Sequence, residues 1–200
     1  MMANATRDPL FLAALTVANQ DDEIGEACLS CHSPTAHVRG NTEAHDGSQL
    51  DHIDNQGVGC ESCHLSAPTG DAAEPYTIAS GELYFPNDGV LRGPYADSPA
   101  PHPSKAEPAL SESAFCGQCH TVFNGQPMYN EEREVIEESF PLDTTYLEWQ
   151  QSDFADVDDP VECATCHMPR VEGDLPVALG DAPLRENPRT RLISAATVQY

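Results

Sequence analysis

The sequence predicts a mostly irregular chain with few short α-helices, a single domain over residues 1–200 whose interior is filled by something other than its own side chains. Two observations lead to this. Aromatic residues are only 6 % of the chain and prolines number 17 of 200, which leaves little bulk for a conventional core and many breaks in regular structure. All eight cysteines fall in C-x-x-C pairs, so none is left over for a structural disulfide framework.

Along the chain, Asp8 and Pro9 precede the apolar run Leu10 to Ala18. This predicts an amphipathic helix from Asp8 to Ala18, with Asp8 as N-cap and Pro9 in first position. The same run has the length of a short secretory-leader core, but Asp8 and Pro9 abut it and Arg7 is the only basic residue before it, so the helix is the preferred reading. Between Pro68 and Pro108 lie eight of the 17 prolines, together with Gly70, Gly81, Gly89 and Gly93, so residues 68–108 are expected to form a long irregular loop. The glutamates near Asn130 to Glu138 favour a helix start there. The pattern Thr145-x-x-Glu148 reads as a capping box opening a helix that carries Tyr146, Leu147 and Trp149 toward the last cysteine pair. From Arg170 the chain, residues 170–200, is expected to be an extended tail. No stretch is long enough to span a bilayer.

With 33 acidic against 9 basic residues the formal charge is −24, which argues against nucleic acid or an anionic membrane surface as partner. The acidic runs Asp21-Asp22-Glu23, Glu131-Glu132 and Asp156 to Asp159 are most simply a solvated face. Asp156, Asp158 and Asp159 lack the loop pattern of a calcium site.

The chemistry lies in the four cysteine pairs: Cys28-Leu29-Ser30-Cys31-His32, Cys60-Glu61-Ser62-Cys63-His64, Cys116-Gly117-Gln118-Cys119-His120 and Cys163-Ala164-Thr165-Cys166-His167. C-x-x-C-H is the haem-attachment pattern. Two cysteines three apart on one helical turn can each add to one vinyl group of a porphyrin, and the histidine that follows lies under the ring to coordinate iron. Zinc ribbons and thioredoxin-like pairs also use C-x-x-C, but neither requires the histidine. At this histidine content, four such neighbours by chance have a probability of ~3 in a million. Four haem c groups are therefore expected. Starting at 28, 60, 116 and 163, the motifs have no fixed period and are not a tandem repeat. At about fifty residues per haem the groups must lie close together and form the core, each burying enough apolar surface to contribute on the order of 10 kcal/mol.

Besides the proximal ligands His32, His64, His120 and His167, the chain holds four histidines: His37, His45, His52 and His102. Eight histidines for eight axial positions point to bis-histidine iron throughout. Met168 is tethered to the proximal face of its own haem and cannot serve the opposite one, and Met128 lies in a turn-rich stretch. His37, only five residues past His32, is expected to serve a neighbouring haem. Two imidazoles leave no open iron site, so no catalytic residue is expected, and potentials should lie on the low side. A reductase or oxidase would need one open position.

The stretches Arg7-Asp8-Pro9-Leu10-Phe11, Gly57-Val58-Gly59-Cys60-Glu61-Ser62-Cys63-His64, Tyr146-Leu147-Glu148-Trp149 and Cys163 to Pro169 resemble the multihaem c-type cytochromes related to cytochrome c554. The resemblance implies a multihaem cytochrome c built around stacked haems, mostly bis-histidine ligation, and a periplasmic or extracellular home. It brings in two kinds of relative: soluble electron carriers, and extracellular cytochromes that polymerise into conductive filaments. The partners it implies are redox proteins, extracellular acceptors, or further copies joined end to end. No signal segment is recognisable, so a mature or partial chain is expected.

Overall fold

Pro9, with its preset φ, and the Asp8 carboxylate, which accepts from the Leu10 N–H at 2.9 Å, start the longest helix, α1 (Pro9–Asp21). It runs three residues past the predicted end. The computed structural model describes residues 2–21, 23–71, 74–96, 100–137, 139–156, 158–176 and 184–188. The expectation of an amphipathic α1 is corrected: only Leu15 is buried, while Leu10, Leu12 and Val17 are exposed. The run Leu10 to Ala18 is apolar at nearly every position, so it covers all sides of the helix rather than one stripe.

Helix α2 (Gly25–His32) carries the first motif, and α3 (Pro34–Arg39) follows after Ser33 and stops at Gly40, whose φ of 76° is left-handed. The chain between α3 and the second motif has little regular structure and is held by an ionic knot. The Arg39 guanidinium bonds Asp51 and Asp54 at 2.7 Å each. Asp54, fully buried, also accepts from Asn41 Nδ2 at 2.7 Å and from the Asp51 N–H at 3.1 Å, while Ser33 Oγ donates to its backbone carbonyl at 2.9 Å. The second motif is itself a helical turn, α4 (Cys60–His64).

The described residues of 68–108 are irregular as predicted, apart from one short parallel pair, β1 (Leu91–Gly93) with β2 (Ser104–Ala106). After α5 (Ser113–Gly117) a twisted ribbon is nested around one turn: β3 (Val122–Phe123) pairs with β6 (Pro141–Asp143), and β4 (Met128–Tyr129) with β5 (Val135–Glu137), both antiparallel. The helix expected over 130–138 is therefore overturned. Asn130 Oδ1 accepts from the Glu134 N–H at 2.8 Å, and Arg133 sits at φ 65°, so the polar run is a turn. The β-branched Val135 and Ile136 that follow favour the strand.

The helix predicted at Thr145 forms as α6 (Thr145–Gln150), but without the capping box. Thr145 is already inside the helix. Its N–H bonds Asp143 Oδ1 at 2.9 Å, and Thr144 Oγ1 holds Glu148 at 2.7 Å, which takes the carboxylate away from the backbone. The fourth motif is α7 (Cys163–His167). Beyond Arg170, the described part of the expected tail is an antiparallel hairpin, β7 (Asp174–Pro176) with β8 (Leu184–Glu186); the rest of that tail lies outside the described residues.

The apolar core among the described residues is six side chains: Leu15, Leu29, Ala36, Tyr76, Ala109 and Tyr146. Burial instead concentrates on the motif turns and their neighbours, at Leu29, Ser30, Ser62, Ser113, Gly117 and Gln118.

Asp54→Ala removes the buried acceptor of the knot, and its expected cost is about 2–3 kcal/mol, measured by chemical denaturation. Arg39, first, and then backbone N–H groups hold the Asp51 carboxyl well below the usual carboxylate range. The stability this contributes is present above about pH 4 and is lost as the pH falls toward the depressed value. Acid unfolding should therefore begin below about pH 4, and Asp51→Asn should flatten that limb.

Candidate haem-binding site

Each motif occupies a single helical turn, which puts cysteines three apart on one side with the histidine next to them. The first closes α2, and the second and fourth are α4 and α7 in full. The third begins at the end of α5 and keeps the turn beyond it, the His120 N–H bonding the Cys116 carbonyl at 2.9 Å. Of the eight motif cysteines, Cys60 and Cys166 are exposed and the other six half-buried, and none is paired in a disulfide.

Although far apart in sequence, the turns converge. The side chains of Cys31 and Cys119, from the first and third motifs, lie beside each other, as do those of Cys116 and Cys163, from the third and fourth. Contact with Cys116 shifts the Cys163 thiol down, and contact with Cys163 together with burial shifts the Cys116 thiol up. The second motif adjoins this centre: burial pushes Cys63 up to about 11, and Cys63 also acts on Cys116 and Cys119. His32 and His120 are close enough for charge on one to disfavour charge on the other.

Backbone contacts fix this arrangement. The Ala79 and Gly81 N–H groups bond the carbonyls of Gly117 and Gln118 at 3.1 and 2.8 Å. Gly81, at φ 65°, also lies so close to the first motif that a Cβ would stand 3.0 Å from Ser30 Oγ and 3.3 Å from Cys31 Sγ. The buried Ser113 joins the third and fourth turns: its N–H bonds Glu162 Oε2 at 2.5 Å, and its Oγ accepts from the Cys163 N–H at 2.9 Å. From α6, Tyr146 packs on Gly117, and Trp149 Nε1 donates to the Val161 carbonyl at 2.9 Å, two residues before Cys163.

Ring nitrogens need fixing if the opposite nitrogen is to meet a metal squarely. His64 Nδ1 faces the Arg92 carbonyl at 2.6 Å, and His120 Nδ1 faces Asp143 Oδ2 at 3.4 Å, so both present Nε2. His32 instead stacks flat on Phe11, with ring centroids 4.0 Å apart, and its Nδ1 is buried without a hydrogen-bond partner. His167 is exposed beside Cys166.

The non-motif histidines fall into two groups. His37 and His45 flank Glu26, two residues before Cys28: His37 Nδ1 and His45 Nε2 each lie 3.8 Å from its carboxylate. His45, at φ 61°, has Nδ1 2.6 Å from the Glu23 carbonyl. His52, in the knot segment, and His102, with Nδ1 3.2 Å from the Pro103 carbonyl, are both exposed. Sequence reasoning did not single out Glu26, Arg92, Ser113 or Glu162. Ser113 and Glu162 were accessible through their positions three residues before Cys116 and one before Cys163; for Arg92, in the irregular loop, no local signal existed.

Among the described residues no three His, Cys, Asp or Glu side chains are disposed to hold a bare metal ion, which is what a zinc ribbon or a calcium loop needs. The turns fit haem c instead: paired thiols on one side, a following imidazole, and at two of them a defined Nδ1 partner. These features define a c-type cytochrome. Residues 11–65 match the family of cytochrome c554 and c-prime, so that stretch of the chain is related to the family, which supports a c-type cytochrome role in electron transfer. The match takes in the first two motifs and ends one residue past His64. No curated protein and no solved structure matches the chain.

A Cβ at Gly117 would lie 2.7 Å from the Tyr146 ring and 2.9 Å from Ile78. Gly117→Ala should therefore force the third turn away from α6 and lower stability by about 1–3 kcal/mol, read by thermal unfolding, with Gly89→Ala, where no atom is within 4 Å but φ is 66°, as the comparison for backbone strain alone.

Proposed function

We propose that the chain is a tetrahaem electron-transfer protein, with one haem c at each of Cys28/Cys31, Cys60/Cys63, Cys116/Cys119 and Cys163/Cys166. His32, His64, His120 and His167 are the proximal ligands, and His37, His45, His52 and His102 supply the distal ones. The observation that carries the reading is the close approach of cysteines from different motifs, Cys31 to Cys119 and Cys116 to Cys163. Attachment points this close hold neighbouring porphyrin edges together, and tunnelling weakens steeply with distance.

The bound haem supplies one-electron exchange at iron. The protein's part is to hold the imidazoles: carbonyl and carboxylate partners at Nδ1 keep Nε2 toward the metal, Phe11 braces His32, and Ser113 with Glu162 keeps the third and fourth turns in register. With these histidines filling both axial positions no place would remain for substrate, and the acidity of the chain would favour the ferric state and low potentials.

The periplasm or the cell exterior suits haem c attachment, and no described helix is long and apolar enough to cross a membrane. The donor and acceptor are redox proteins or extracellular acceptors. End-to-end assembly of copies is the quaternary reading. Its support is a pair of unlike exposed apolar surfaces, α1 with Leu10, Leu12 and Val17, and the ribbon with Tyr129, Val135, Ile136 and Leu142. A contact between unlike surfaces joins copies head to tail, and where its rotation does not close a ring it builds a fibre, with the charge of −24 opposing it until salt screens the repulsion.

Electron paramagnetic resonance of the ferric protein tests the ligation. Low-spin signals integrating to four irons per chain are expected, and His45→Ala should convert one of them to high-spin. A high-spin signal equal to one iron in the unaltered protein would instead mark a catalytic haem.

A further inference from the structure

The charges behind the second and third proximal histidines are opposite. Arg92 is 5 % exposed, the one buried cation among the described residues of a strongly acidic chain. Its backbone carbonyl takes the His64 Nδ1 contact at 2.6 Å, and its guanidinium is folded back on the end of the same turn, with Nη1 2.9 Å from the Val90 carbonyl and 3.5 Å from that of Leu65. Nε is buried with no hydrogen-bond partner. The counter-ion, Asp88, pairs with Nη2 from the solvent side and is itself 42 % exposed. The pair thus turns its positive end toward the second motif and its negative end toward water, where it is screened. Behind His120 stands a carboxylate instead, Asp143, 3.4 Å from Nδ1.

From this arrangement we infer that Arg92 and Asp143 set a potential step inside the protein, making the haem of the second motif the electron sink relative to the haem of the third. The inference rests on the tetrahaem reading. A fixed positive charge in a low-dielectric setting favours ferrous iron, which carries one charge fewer than ferric. A carboxylate on the proximal imidazole makes that ligand more electron-donating and favours ferric iron. One electron shared between the two irons therefore resides on the second, with no bond made or broken and no proton required. Asp143 and His120 are both partly exposed, so Arg92 contributes the larger share.

Redox titration of the holoprotein, followed through the paramagnetically shifted haem methyl resonances, reads each haem separately. Arg92→Gln should shift electron occupancy away from the second haem about tenfold, which is about 59 mV for one electron. Arg92→Lys should restore most of it. Asp88→Asn, which takes away the screening partner and leaves the guanidinium, should move the same haem the opposite way, and Asp143→Asn should raise the third. The His64 contact is to a backbone carbonyl and survives in every Arg92 variant, so a purely structural role predicts Arg92→Gln and Asp88→Asn shifting together. That result, or no shift at the second haem in Arg92→Gln with all four haems retained, overturns the inference. Should Arg92→Gln not fold, Arg92→Lys and Asp88→Asn still decide by the sign of the Asp88→Asn shift. Absence of haem at Cys60 and Cys63 in the unaltered protein is the separate result that removes the tetrahaem reading and the step with it.

Discussion

Four histidine-terminated helical turns have to meet in space, and the rest of the chain serves that requirement. Turns of five to eight residues are too short to be stable alone, and little apolar burial surrounds them. They are held by contacts between the turns: Cys31 lies beside Cys119 and Cys116 beside Cys163, and Ser113 bonds both Glu162 and the Cys163 N–H. The connecting segments can be irregular because their task is to close backbone hydrogen bonds onto the turns. The loop at Ala79 and Gly81 does so for the third while lying against the first.

Such an architecture divides labour differently from an ordinary globular domain. Six buried apolar side chains among the described residues are a small core, whereas porphyrin faces offer rigid apolar area in quantity. A covalent tether keeps each haem in place without a deep pocket. It also lets the chain expose Leu and Val on α1 and aromatic residues on the ribbon, surfaces that suit contact with a redox partner or a second copy. The ionic knot of Arg39, Asp51 and Asp54 does for residues 40–57 what a core would do elsewhere. It fixes a stretch that contains His45 and His52 without using apolar burial.

The motifs, their helical turns, the α1 start at Pro9 and the irregularity of the described residues of 68–108 were legible in the sequence, because each rests on local rules. The misread elements fail for a similar reason. Glutamates after Asn130 favour a helix start, but the Asn130 side chain captures the Glu134 N–H and Val135 and Ile136 prefer a strand. At Thr145 the capping pattern was present, yet Asp143 took the backbone N–H first. Which motif touches which, and where the one buried arginine among the described residues lies, depend on contacts between residues 28 to 88 positions apart, such as His64 with Arg92 or Cys31 with Cys119. No spacing rule reaches that far.

The central claim is that every one of the four turns carries its own covalent haem. Proteolysis of the mature protein under denaturing, reducing conditions, with thiols alkylated and peptides weighed, measures this directly. The account predicts four haem-bearing peptides, containing Cys28 to His32, Cys60 to His64, Cys116 to His120 and Cys163 to His167, with no alkylated cysteine. Recovery of any of these peptides chiefly with both cysteines alkylated and no haem would contradict it.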